Sequence, residues 1–134
     1  MSAASDYLEN KLLDHVLKYS TASYTAPNTV YLALFTASTG LEADSPSAEI
    51  STSGTAYGRQ SIAFASASSG SSASNATVTF SAATANWGTI THVAIMDAST
   101  AGHVLFYGAV TTSKTIETGD TFQVSSGNLT ISLA

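Results

Sequence analysis

Thr89-Ile90-Thr91-His92-Val93-Ala94-Ile95-Met96-Asp97, then Ser99-Thr100-Ala101-Gly102, then His103-Val104-Leu105-Phe106-Tyr107-Gly108-Ala109-Val110: this stretch decides the fold. Two runs rich in β-branched and aromatic residues flank a turn of small residues that ends in glycine, the pattern of a β-hairpin. Strict alternation along the first run puts Ile90, His92, Ala94 and Met96 on one face, and Thr91, Val93, Ile95 and Asp97 on the other.

Similar runs lie on either side. Thr29-Val30-Tyr31-Leu32-Ala33-Leu34-Phe35-Thr36 is apolar on both faces and reads as a central strand covered on both sides, by the N-terminal helix and by a second sheet. Residues 58–65 and Ala76-Thr77-Val78-Thr79-Phe80 read as further strands. Downstream, Lys114-Thr115-Ile116 precedes a second expected hairpin, in which Thr121-Phe122-Gln123-Val124 pairs with Asn128-Leu129-Thr130-Ile131-Ser132-Leu133 around Ser125-Ser126-Gly127. Residues 37–57 read as a long loop, and Ser66-Ala67-Ser68-Ser69-Gly70-Ser71-Ser72 as a flexible tip. Six to eight short strands with frequent turns predict a mainly β chain, an antiparallel β-sandwich of jelly-roll type, with residues 1–134 as a single domain.

One helix precedes the strands, over residues 5–19. Ser5 is placed to cap it, and Asp6 and Glu9 stand in its first turn, where the helix dipole favours negative charge. Leu8, Leu12, Leu13, Val16 and Leu17 recur at helical spacing and read as one apolar stripe that must be covered, by the chain's own sheet or by a neighbouring subunit.

Composition narrows the function. Charged residues make up 10% of the 134 residues, against about 25% in ordinary soluble domains. The polar surface therefore consists mostly of hydroxyls and backbone, which suits a protein packed against copies of itself or exposed on a particle. A formal charge of −5 with only four Lys and Arg leaves no basic footprint for nucleic acid. No apolar run approaches 18 residues, so no membrane span is expected. The opening Met1-Ser2-Ala3-Ala4-Ser5 carries no basic and apolar leader pattern. Without cysteine, thiolate chemistry and disulfides are excluded.

Residue chemistry points away from catalysis. His15, His92 and His103 have no metal-ligand spacing, and zinc needs three or four converging donors. Gly70-Ser71-Ser72-Ala73-Ser74 lacks the second glycine of a nucleophile elbow. Asp97 and Asp120 stand beside turns, where aspartate commonly bonds local backbone. The expectation is no catalytic residue, no cofactor and no metal. Tyr57 and Trp87 fit a sugar-stacking surface, but a core or hairpin-flank place suits Trp87 better. Arg59, the single arginine, is a candidate to meet an acid across an interface. The interface candidates are Tyr7, Leu8, Leu12, Arg59 and Trp87, and the contact regions expected are residues 1–18 and the two loops 37–57 and 66–75.

Several segments carry a family resemblance. Leu12-Leu13-Asp14-His15-Val16-Leu17, Tyr24-Thr25-Ala26-Pro27 and Val30-Tyr31-Leu32-Ala33-Leu34-Phe35-Thr36 resemble the opening of a family of small tailed-bacteriophage virion proteins. Tyr57-Gly58-Arg59-Gln60, residues 86–95 and Leu105-Phe106-Tyr107-Gly108 continue the likeness over nearly the whole chain. Some such proteins are described as tail fibre proteins, and others resemble capsid decoration, or cement, proteins. The resemblance implies a non-enzymatic virion protein made in the bacterial host cytoplasm. Size, low charge and the lack of a shaft repeat put the cement role first: a protein on the capsid surface that bridges major capsid proteins and copies of itself, as a homotrimer or homodimer. The alternative is a tail or head fibre component that contacts the host surface. A sugar-binding module or small hydrolase comes third.

Overall fold

In the computed structural model, residues 2–18 and 24–133 are described. Ten elements follow in chain order: β1 (Ala3–Ala4), α1 (Asp6–Leu17), β2 (Val30–Phe35), β3 (Gln60–Ile62), β4 (Ser71–Ala73), β5 (Val78–Thr79), β6 (Gly88–Met96), β7 (Val104–Ile116), β8 (Gln123–Val124) and β9 (Thr130–Ser132). They form a five-stranded antiparallel sheet in the order β1-β7-β6-β2-β3 and two short ladders, β4-β9 and β5-β8. Helix and strands thus agree with the class expected from the pattern of residues, a β-sandwich-like fold with one N-terminal helix.

The hairpin quoted above is the centre of the sheet. β6 pairs with β7, and Asp97 closes the turn: its N–H donates to the His103 carbonyl at 3.2 Å and its Oδ1 accepts the His103 N–H at 2.7 Å. β7 runs on through Ile116 as one long strand, so Lys114-Thr115-Ile116 is its end and not a separate element. It stays paired by means of irregularities. Ile90 faces Lys114 while His92 faces Ala109, so β7 carries extra residues between them. Met96 faces Val104 while Ile95 faces Phe106, which leaves Leu105 as the inserted residue. These bulges re-aim side chains. Ile90 therefore joins Val93 and Ile95 in the main core instead of lying with Ala94 and Met96, as unbroken alternation requires.

The main core lies between the five-stranded sheet and the short ladders. Leu32, Leu34, Ile62, Ile90, Val93, Ile95 and Leu105 meet Val78, Phe80, Trp87 and Phe122 there. The opposite face of the sheet, Ala33, Phe35, Ala94, Met96 and Val104, is covered by Leu41 from the loop 37–57. The cover expected from the helix is thus supplied by a loop. That loop is held to β2 by the Thr36 N–H to Ala48 carbonyl and Ile50 N–H to Leu34 carbonyl bonds, at 3.0 and 3.2 Å.

Two expectations are corrected in the second layer. β8 and β9 do not pair with each other. β8 pairs with β5 and β9 with β4, because each has a longer-range partner that places Val124, Leu129 and Ile131 against the core. Part of the expected flexible tip is strand: Ser71, Ser72 and Ala73 pair with Ser132, Ile131 and Thr130. Backbone pairing does not depend on side-chain type, so a serine run can supply a strand when a partner lies beside it.

Candidate functional site

No convergent chemical site organises the described residues. Among them, no group of three His, Asp or Glu side chains could hold a metal ion, and His92 and His103 are engaged separately. His92 Nδ1 lies 2.9 Å from Thr91 Oγ1, whereas the His103 ring bonds Asp44. The surfaces that stand out are the helix and what anchors it.

The first turn of α1 is strongly fixed. Ser5 is fully buried. Its Oγ accepts the Leu8 N–H at 3.3 Å, as an N-cap, and donates to the Val104 carbonyl. Its N–H reaches the Leu105 carbonyl at 3.0 Å, and the Asp6 N–H reaches the Glu42 carbonyl at 2.8 Å. Tyr7 stacks face to face on His103, with ring centroids 3.8 Å apart and planes 3° from parallel. Asp44 bonds Nδ1 of that imidazole and also accepts the Val104 N–H at 2.7 Å. Desolvation, and then the Asp97 and Asp44 carboxylates, raise the Tyr7 phenol above its ordinary pKa.

The second half of α1 is different. Leu8 is 3% exposed, but Leu13, Val16 and Leu17 are 58, 74 and 73% exposed. With about 100° per residue, Leu8 and Leu12 share one side of the helix, while Leu13 and Leu17 lie roughly 100–140° round from Leu12, with Val16 between. The single stripe expected from spacing is thus divided, by angle for Leu13 and Leu17 and by position along the helix for Val16. One part is docked through Leu8 and the half-buried Leu12, and the other is an apolar i, i+3, i+4 trio in the open. The helix ends where Lys18 caps it, its N–H bonding the Asp14 carbonyl at 2.9 Å. Residue 19, the last assigned to the helix from sequence, lies outside the described residues.

The five interface candidates divide. Leu8 and Trp87 are buried in the main core of the chain. The Trp87 indole N–H donates to the Thr55 carbonyl at 2.8 Å, and its ring meets Tyr57 and Phe80 edge to face. Arg59 finds its acid within the chain. Its Nε and Nη2 bond the two Glu49 oxygens, each at 2.8 Å, and its Nη1 donates to the Ala98 and Ala101 carbonyls at 2.8 and 2.7 Å. This bidentate pair ties the loop 37–57 to the β6–β7 turn. The hydrogen bond to Glu49 raises the Arg59 pKa against an opposing desolvation effect. Tyr57 shares the same carboxylate. Its OH donates to Glu49 Oε1 at 2.8 Å and accepts the Leu34 N–H at 3.0 Å. Burial, the largest cause, drives its phenol far above the ordinary range. Tyr7 and Leu12, both on α1, are half-buried.

Leu13, Val16 and Leu17 were not distinguishable from the anchored pair by residue type; an angular count separates Leu13 and Leu17, whereas Val16 lies only about 40° from Leu12. Glu49 as the partner of Arg59 carried no sequence signal, since the two lie ten positions apart across a segment without periodic pattern.

A family model described as podophage GP4 fiber I protein gp80 matches residues 3–132. No curated protein matches the chain.

Proposed function

This chain belongs to the podophage GP4 fiber I protein gp80 family, and we propose from that premise that it is a fibre subunit without catalytic function. In this reading it is held in the particle by the exposed second half of α1. The family is one of phage fibre proteins, which supports a virion-associated structural role. The family description favours a fibre over the capsid-cement role that composition put first, and gives no support for a bridge between major capsid proteins.

The observation that carries this reading is the trio Leu13, Val16 and Leu17, more than half exposed on a helix whose first turn is rigidly anchored. Contiguous exposed apolar surface on a soluble domain marks an interaction site. Complete burial of a Leu or Val side chain contributes about 1.5–3 kcal/mol, so three on each copy supply a useful part of an assembly energy. In a chain with 10% charged residues, little electrostatic repulsion opposes association of copies. Copies of this chain, as a homodimer or homotrimer, are the partners we assign to this patch.

Electron microscopy of virions labelled with an antibody to the chain tests the location. Label on a few fibres per particle supports the reading, whereas hundreds of copies over the head would replace it with the cement role. A variant with Leu13, Val16 and Leu17 all changed to Ser tests the patch. It should melt like the parent but sediment as a monomer and be missing from particles. Unchanged oligomeric state and incorporation would remove the helix from the assembly surface.

A further inference from the structure

Among the described residues, four large apolar side chains stand more than half exposed: Leu13, Val16 and Leu17 on α1, and Leu133, at 56%, just after β9. The first three project from the end of the helix. The fourth stands on the rim of a hollow.

The hollow is a cavity of about 320 Å³ between the five-stranded sheet and the β4-β9 ladder. Buried Ile95 and Leu105 form its floor, and half-buried Phe64, Phe106 and Ile131 its walls. It stays unfilled because β4, the ladder strand that borders it, is Ser71-Ser72-Ala73, and small side chains do not reach across to the sheet. The hydroxyls there are already engaged. Ser72 Oγ donates to the Ala65 carbonyl, and Ser132 Oγ donates to Ser71 Oγ at 3.3 Å. Among the described residues, no titratable side chain lines the cavity. Water entering it therefore finds few polar partners, which favours an apolar occupant. A cavity of about half this volume already holds benzene when its walls are apolar, so aliphatic side chains fit here.

We infer that this cavity receives Leu13, Val16 and Leu17 from α1 of a second copy of the chain. One such contact covers all four exposed side chains at once. The helix does not fill the cavity of its own chain: Ser5 and Leu8 anchor it, and no residue of α1 lines the walls. Pairing of the trio with itself is the poorer solution. Exposed Asp6 and Glu9 lie within about 40° of Leu13 round the helix, so two parallel helices would set the carboxylates of both copies against each other. An antiparallel pair would overlap only through the last turn and leave Leu133 bare. The cavity instead offers Asp6 and Glu9 no opposing acid. Because the contact joins two different patches, copies associate head to tail or reciprocally across a two-fold axis. This deepens the fibre reading, on which it rests for the helix as the assembly surface.

Sedimentation of two variants of the full chain tests it. In the first, Ala67→Glu and Leu133→Glu put two carboxylates on the rim of the cavity, both at exposed positions where the fold tolerates change. If that pair lowers the melting temperature, Ala67→Glu alone replaces it. In the second, Leu13, Val16 and Leu17 are all changed to Ser. Each variant alone should melt like the parent but self-associate about tenfold or more weakly. An equal mixture should recover a complex with one copy of each, since the helix of the first variant meets the cavity of the second. Thr112→Glu with Ser113→Glu, which adds the same charge at exposed positions of β7, should associate like the parent. A rim variant that associates like the parent, a mixture that recovers nothing, or a β7 control that is weakened equally overturns the inference. In those cases a serine variant that still fails to assemble leaves the fibre reading standing. A serine variant that assembles like the parent defeats the helix as an assembly surface, and the inference with it.

Discussion

The Arg59 guanidinium grips both oxygens of Glu49, with Nε and Nη2 each 2.8 Å from its acceptor, and its side chain is only 7% exposed. Two long-range parts of the fold therefore depend on one side chain: the loop carrying Leu41 and the turn between β6 and β7. Removing one partner of a buried pair leaves the other charge uncompensated, at a cost of about 3–5 kcal/mol. Arg59→Ala should lower stability by roughly 3 kcal/mol in urea unfolding. Arg59→Lys should recover only part, because a point ammonium cannot reproduce the fork on Glu49 and the two carbonyls together. Equal stability of Arg59→Lys and the parent would show that charge alone matters there.

The two faces of α1 predict opposite mutant behaviour. Leu8 is buried in the main core, so Leu8→Ala should cost about 2–5 kcal/mol. Leu17 is 73% exposed, so Leu17→Ser in the isolated chain should stay within about 0.5 kcal/mol of the parent. Chemical denaturation of dilute protein checks both, and a large cost at Leu17 under those conditions would place it in the fold.

Alkali should unfold the protein earlier than its composition suggests. The buried Tyr57 phenol has its pKa raised on folding, chiefly by burial. Its neutral form is therefore the one the fold holds. The stability linked to it is complete below the unfolded pKa of about 10 and is lost as pH rises beyond that. Tyr7, Tyr24 and Tyr107 are shifted in the same direction. Tyr57→Phe should flatten the loss of stability above about pH 10 without abolishing it, at a cost near neutrality of about 1–3 kcal/mol for the unpaired Leu34 N–H. Thermal melts from pH 8 to 11 measure both effects.

Gly40 is predicted to be intolerant of any side chain. Its φ is +76°, and a Cβ there would lie 2.0 Å from the Ser45 carbonyl oxygen, a backbone atom that cannot swing aside. Gly40→Ala should destabilise by at least about 1–3 kcal/mol, from backbone strain alone, and should loosen the neighbouring Leu41 from the second face of the sheet. Gly119→Ala, with a similar positive φ but open space around it, separates the two causes. It should cost less than Gly40→Ala in the same denaturation assay.

The hairpin around residues 97–103, the β2 strand and the Ser5 cap were all legible in the chain. Each follows from local pattern: period-2 alternation, a capping residue beside acids, and turn residues at short spacing. The pairing of β8 with β5 and of β9 with β4 was not. A short separation favours a hairpin by loop entropy, yet burial of Val124, Leu129 and Ile131 against the sheet outweighs that advantage. The place of Ile90 was hidden as well, because a bulge changes which face a residue takes without changing the residues themselves.

By itself, then, the sequence determined the kinds of element, their order, the absence of cysteine chemistry and the want of a basic surface, all properties of neighbouring residues or of totals. Tertiary structure alone decided which apolar side chains are covered. Leu8 and Leu17 are the same residue type on one helix, 3% and 73% exposed. The difference lies in Val104 and Leu105, about a hundred positions away, whose carbonyls hold Ser5 and so set how far along the helix the domain's own surface reaches.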